Sequence, residues 1–213
     1  MKNTDKTNTN QIQKHWDTFY RISEVTNKPS PFALYCSENY IKPNKHILEL
    51  GCGNGRDSNY FAEIGCKVTA ADFSKEVYNI KGYAKENPMF INNNAVNVIR
   101  LLSGMDYVYM RWFLHAIKKE DEKIILQESY NKMKRKGLMF IEVRSINDHL
   151  YGQGEKISKT EYIDDHYRRF FKEDELISDL KNLGFNIMYN IENKGFSKDK
   201  DNDPTLIRII AQK

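Results

Sequence analysis

Ile47-Leu48-Glu49-Leu50-Gly51-Cys52-Gly53-Asn54-Gly55-Arg56-Asp57 is the stretch that decides the fold. An apolar run with a single acid breaks into three glycines at alternate positions, the pattern of a buried strand closing on a tight turn. From Asp57 the chain runs Ser58-Asn59-Tyr60-Phe61-Ala62-Glu63-Ile64 and stops at Gly65, which suits a helix with an acid at its positive end and a glycine past its last turn. Strand, glycine loop and helix together make a nucleotide-binding corner. The glycines permit positive φ angles and let a ligand lie against bare backbone. Pyrophosphate loops read G-x-G-x-x-G, whereas this one reads G-x-G-x-G behind an acid. The carboxylate of Glu49 is poorly placed beside phosphates and well placed beside a ligand carrying an ammonium and a sulfonium.

S-adenosylmethionine (SAM) is such a ligand. Glu49-x-Gly51-x-Gly53-x-Gly55 resembles the first motif of class I SAM-dependent methyltransferases, and Val68-Thr69-Ala70-Ala71-Asp72-Phe73 resembles their second strand. The resemblance implies that Asp72 holds the ribose hydroxyls and Phe73 covers the adenine. It also implies that Asn94, after the third strand, meets the adenine amino group, although an Asn-rich turn is the structural alternative. Asp72 lies 21 residues after Gly51, a spacing shared with nicotinamide-binding proteins, so it supports a ribose-containing ligand of either kind. Cys52, inside the loop, reads as a small residue tolerated there, since nothing local marks it for a lowered pKa. The resemblance extends over residues 43 to 213, with specific motifs in the first half. It implies an α/β fold: a doubly wound, Rossmann-like, seven-stranded, mostly parallel sheet with a C-terminal antiparallel hairpin.

With 213 residues the chain suits one well-buried α/β domain. Its net charge of +4 is too mild to argue for nucleic acid unless the basic residues cluster. No apolar run approaches a membrane span and Met1 to Asn10 are polar rather than signal-like, so the expectation is a cytoplasmic protein without membrane contact. Cys36, Cys52 and Cys66 lack C-x-x-C spacing, so neither a disulfide framework nor a metal is expected. Oligomeric state is not legible.

Residues 1–10 offer little to bury and are expected to be disordered, with 11–213 a single domain, 11–42 its helical lid and 145–170 an insertion. Ile12, Trp16, Phe19 and Ile22 follow helical spacing. That helix either pads the sheet or closes over a ligand, with Tyr20 or Phe32 as candidates to pack against a sulfonium. A short helix is expected at 32–40, then strand 67–71, helix 74–85, and strands 89–92 and 105–110. Leu126, Tyr130 and Met133 predict a helix with Lys134, Arg135 and Lys136 in its last turn and Gly137 as its stop. Strand 138–143, a helix through Leu176, Leu180 and Leu183, and a hairpin of 185–191 with 206–211 complete the pattern.

In doubly wound sheets ligands lie beyond the carboxyl ends of the strands. Arg111 ends the fourth predicted strand and Arg144 the fifth, and the insertion adds His166, Arg168 and Arg169. Guanidinium groups meeting in one cleft repel unless an anion sits among them, and arginine forks suit phosphate or carboxylate, which predicts a small anionic acceptor. The alternatives are that Arg168 and Arg169 are solvated at a helix entrance, and that Arg111 braces a loop or binds the donor's own carboxylate. His115, in a Phe-Leu-His segment similar to that of many small-molecule methyltransferases, is expected either to orient or deprotonate the acceptor or to make a structural hydrogen bond. Asp106 opens its strand and carries no expected role. Segments 111–117 and 166–170 resemble small bacterial capsule and surface-polysaccharide methyltransferases, including those that O-methylate phosphoramidate groups. The expectation is thus a SAM-dependent methyltransferase of a small anionic metabolite or sugar precursor. Alternatives are an enzyme of the thiopurine or tellurite-resistance kind, a non-catalytic SAM-binding protein, and a nicotinamide-dependent oxidoreductase. No nucleic-acid partner is expected.

Overall fold

The computed structural model describes residues 9–22, 26–76, 86–199 and 202–213. Helices α1 (Thr9–Ile22) and α2 (Pro31–Asn39) precede the first strand. Alternation follows: β1 (His46–Leu50), α3 (Arg56–Glu63), β2 (Lys67–Asp72), β3 (Met89–Asn92), α4 (Ala95–Leu101), β4 (Met105–Arg111), α5 (Lys119–Lys132) and β5 (Met133–Arg144). After three short strands, β6 (Glu155–Lys156), β7 (Glu161–Ile163) and β8 (Tyr167–Arg169), come α6 (Glu173–Asn182), β9 (Asn186–Asn193) and β10 (Leu206–Gln212). The main sheet has the order β3-β2-β1-β4-β5-β10-β9. Pairs from β3 to β5 are parallel, and β10 runs antiparallel to both its neighbours. This is the expected doubly wound sheet with its C-terminal hairpin.

Successive strand residues point to opposite faces, and the sheet sorts its core accordingly. Leu48, Val108, Met110 and Ile141 pack with Val96, Ile125 and Leu176 from α4, α5 and α6. Ile47, Tyr107, Tyr109, Phe140 and Ile210 pack on the other face with Phe32 and Phe61 from α2 and α3. Both faces are covered, so the sheet opens only at strand ends. Truncating a fully buried ring such as Phe140 to alanine costs about 3–5 kcal/mol.

Three expectations need correction. Helix α5 ends at Lys132, and Lys134 to Gly137 are not its last turn but a break in register inside β5, between the pairings Met105–Met133 and Tyr107–Leu138. Lys136 takes a φ of 65°, and Lys134 Nζ reaches Asp106 at 2.9 Å. Gly137 is required there by contact, since a Cβ would lie 2.8 Å from the Asp106 carbonyl oxygen. Phe32 does not face the cleft: it is buried, stacks on Tyr109 at 5.5 Å and lies under Arg208. Segment 145–170, the expected insertion, contains a three-stranded antiparallel sheet, β6-β7-β8. Helix α1 begins at Thr9, so residues 9 and 10 belong to it; the disorder expected for 1–8, and most of the helix expected at 74–85, fall outside the described residues.

Candidate active site

The corner between β1 and α3 is built from hydrogen bonds that only bare backbone permits. Gly51, Gly53 and Gly55 have φ of 74°, 54° and 71°, a region that costs an L side chain roughly 1–2 kcal/mol. Gly51 N donates to the Ala71 carbonyl at 2.8 Å, which fastens the loop to β2. Gly53 N donates to Asp72 Oδ2 at 2.9 Å and Ser74 N to Oδ1 at 2.8 Å. The carboxylate is thereby fixed at the mouth of the sheet. Burial pushes the Asp72 carboxyl upward against the pull of those amides. Glu49 is buried and accepts a hydrogen bond from the Ser58 hydroxyl. Burial, and then the nearby Asp57 charge, drive its carboxyl well up, while Ser58, Arg111 and Arg56 pull it down. Cys52 is buried too, and burial together with Asp72 and Glu49 keeps it a thiol.

A cleft of about 110 Å³ lies above this corner. Gly51, Asp72, Phe73, Asn94, Phe113 and Ile117 are among its walls. Asn94 also caps α4, its Oδ1 accepting from Val96 N at 2.8 Å. Helix α1 covers the cleft with Ile12, Trp16 and Tyr20, one residue per turn. A neighbouring stripe of the same helix holds the chain after β2. Gln13 Nε2 donates to the Phe73 carbonyl at 2.9 Å, Asp17 Oδ1 accepts from Ser74 Oγ at 2.7 Å, and Arg21 meets Glu76 at 2.9 Å. The Tyr20 hydroxyl rests directly where a Cβ on Gly53 would stand, and a Cβ on Gly51 would lie 2.7 Å from the Phe113 ring. Bare backbone, a fixed carboxylate able to accept from ribose hydroxyls and an aromatic wall are what an adenosyl donor needs, so these residues fit one.

The opposite wall carries the arginines. Glu142 is fully buried and accepts from Arg208 Nε at 2.7 Å and from the Trp112 indole at 2.9 Å, while Arg111 Nε lies 3.1 Å away. One carboxylate therefore serves two guanidinium groups. Arg144 donates to buried Asp148 at 2.9 Å, and Arg168 to Asp165 at 2.8 Å. Arg169 is buried against Glu122 and Glu161, over Phe171. It braces β8 on α5. The carboxylates that pair these arginines come from the chain itself, so mutual repulsion does not by itself call for an outside anion.

Trp112, not singled out in the sequence, has the guanidinium carbons of Arg111 and Arg144 at 5.1 and 4.8 Å from its ring, and takes a φ of 55°. A tryptophan in that region is strained, and such strain gathers at functional sites. The available signal was its place directly after a strand-ending arginine at the sheet mouth. His115 is buried, and its Nδ1 has no hydrogen-bond partner among the described residues. Burial, then Arg144, His166, Arg168 and Arg111, hold its pKa well below the usual histidine value, so the ring is neutral near pH 7. A second cavity of about 230 Å³ lies between α1 and the β7–β8 turn, with His15, Asp164, Asp165 and His166 in its walls. Ile12 and Trp16 line both cavities and form the partition between them. No helix among the described residues is long and apolar enough to cross a membrane.

A family described as a methyltransferase domain matches residues 20–190. Among solved structures, a SAM-dependent methyltransferase from Methanosarcina mazei superposes with a TM-score of 0.72 at 22% identity, covering 83% of this chain and 96% of that one. The structure described as a putative methyltransferase from Listeria monocytogenes gives 0.70 at 18%, covering 86% and 98%. The Burkholderia thailandensis 1,6-didemethyltoxoflavin-N1-methyltransferase, solved with that small molecule and S-adenosylhomocysteine bound, gives 0.66 at 21%, covering 86% and 76%.

Proposed function

The chain belongs to the class I SAM-dependent methyltransferase family, and from that premise we propose that its acceptor is a small metabolite or sugar precursor bearing phosphate, phosphoramidate or carboxylate. Gly51, Gly53, Asp72, Phe73 and Asn94 would hold the donor, with Cys52 and Gly55 shaping the loop and Tyr20 closing it. When bound, SAM supplies a methyl group on a cationic sulfur. Transfer from such a centre depends mainly on alignment and on exclusion of water. Phe113 and Trp16 provide the dry wall. Glu49 lies beneath the loop on the donor side.

The observation that carries the acceptor reading is the shared carboxylate. Glu142 balances one guanidinium of two, and Arg208, the closer and more buried, takes that charge. Arg111 feels Asp57 and Glu49 as well as Glu142, and its guanidinium stands at the end of β4 beside Trp112. An anionic group on the acceptor would pair with that guanidinium, with Arg144 also against the indole ring. His115, neutral and with an unpartnered Nδ1, would orient the acceptor rather than hold its proton, because burial and the neighbouring arginines oppose an imidazolium there. Similarity of segments 111–117 and 166–170 to surface-polysaccharide enzymes supports a sugar precursor.

Label transfer from methyl-tritiated SAM into low-mass and polymeric fractions of cell extract tests this, with Arg111→Met and Arg144→Ala variants alongside. Label in anionic low-mass species, reduced at least tenfold in Arg111→Met, is expected. Wild-type transfer by Arg111→Met would refute it. A thiol or small-heteroatom acceptor, as in enzymes of the thiopurine and tellurite-resistance kind, is the second reading, favoured by the internal pairing of Arg144, Arg168 and Arg169; label would then enter thiol or heteroatom species and be indifferent to Arg111.

A further inference from the structure

We infer that His15, Asp165 and His166 form a binding site for a divalent transition ion of the zinc, cobalt or nickel class. One ligand atom from each of the three lies within 4.8 Å of the others. The two imidazole rings stack at 4.3 Å between centroids, and His166 Nδ1 is 3.0 Å from Asp165 Oδ1. Zinc holds nitrogen and oxygen at about 2.0–2.2 Å, so tetrahedral ligands sit roughly 3.3 Å apart. Binding requires the stacked rings and the carboxylate at the cavity edge to rotate until the set contracts to that spacing. Two imidazoles with one carboxylate match borderline-soft first-row ions and not magnesium or calcium, which need more oxygens.

The surroundings leave room for completion of the shell. The 230 Å³ cavity opens beside the three residues, and the Asp165 side chain is 59% exposed. Water fills the fourth position from that side. Asp164 lines the same cavity and adds negative charge. Arg168 opposes the ion: its Nη2 lies 2.8 Å from Asp165 Oδ1 and 3.3 Å from His166 Nδ1. Metal binding must turn that guanidinium aside. The three ligands come from α1 and from the β7–β8 turn, so a bound ion fastens the cover of the donor cleft to the insertion.

This site is independent of the acceptor reading and is tested by metal alone. The full chain, stripped with a chelator and dialysed, is titrated with Co²⁺ and then Zn²⁺. One equivalent of Co²⁺ should give visible ligand-field absorption that Zn²⁺ abolishes. His15→Ala and His166→Ala should each weaken binding at least tenfold, with His149→Ala unchanged and far-ultraviolet circular dichroism confirming that all three are folded. Arg168→Ala should bind more tightly, which a residue needed only for the fold would not do. Absence of a band at one equivalent, or a band unaffected by both His15→Ala and His166→Ala, overturns the site.

Discussion

Replacing Glu142 by glutamine keeps the shape of the side chain and removes its charge. Arg208, with a side chain 6% exposed, would lose its carboxylate partner in the interior, and Arg111, at 16%, would keep only the weaker pull of Asp57 and Glu49. Breaking a buried ion pair from one side costs about 3–5 kcal/mol, because the remaining charge is neither solvated nor paired. With a urea m-value near 2 kcal/mol/M, the unfolding midpoint should fall by roughly 1.5–2.5 M. The reverse change is not symmetric. Arg111→Met removes one of two cations from a single anion and leaves Glu142 bonded to Arg208 and Trp112, so its cost should stay near 1 kcal/mol. Glu142→Gln combined with Arg208→Met should recover much of the loss. Equilibrium urea unfolding of the wild type and these three variants, followed by tryptophan fluorescence, reads all of this. A Glu142→Gln loss below about 1 kcal/mol, or an Arg111→Met loss equal to it, would refute the charge count from which the acceptor was argued.

Gly53→Ala forces a side chain into a left-handed backbone and against Tyr20; calorimetry should show donor affinity at least tenfold weaker, with stability lower by about 1–2 kcal/mol. Asp72→Ala removes a carboxylate able to make two charge-assisted hydrogen bonds to a ribose, and affinity for S-adenosylhomocysteine should fall about 100-fold. Asp106 supplies the pH test. Burial acts upward on its carboxyl, but the His46 amide, Lys134 and Lys45 outweigh it and hold the folded value below 3.8. Its stabilisation is therefore present above the unfolded pKa and lost as pH falls through the lower folded one. Below about pH 4 the wild type should lose urea resistance more steeply than Asp106→Asn, measured as midpoint against pH.

Residues that act through their own neighbours were readable in order along the chain. The loop from Glu49 to Gly55, the helix after it and Asp72 at the end of β2 are local geometry, and local geometry leaves a pattern of glycines and alternating side chains. The doubly wound sheet was what the resemblance carried by that loop implied, and the strand order itself became legible only in the fold. Lys134 to Gly137 misled because a basic run before glycine is how helices commonly end, while the true cause is a carbonyl of β4 pressing on Gly137. The strands of the insertion are two or three residues long, too short to show a period. The partners of the arginines were invisible for another reason. Glu142, Asp148 and Glu122 look like ordinary acids until the fold places them, and His15 meets His166 across 150 positions.

The stripe of α1 formed by Gln13, Asp17 and Arg21 grips residues 73 to 76, the segment that directly follows the ribose carboxylate. Roof and floor of the donor chamber are thus riveted along one seam rather than hinged apart. Bonds spaced a helical turn apart on a stiff rod fail as a set, so the roof should lift in one step. Amide exchange across 9–22 should then share a single rate, and a donor already inside would be released no faster than that.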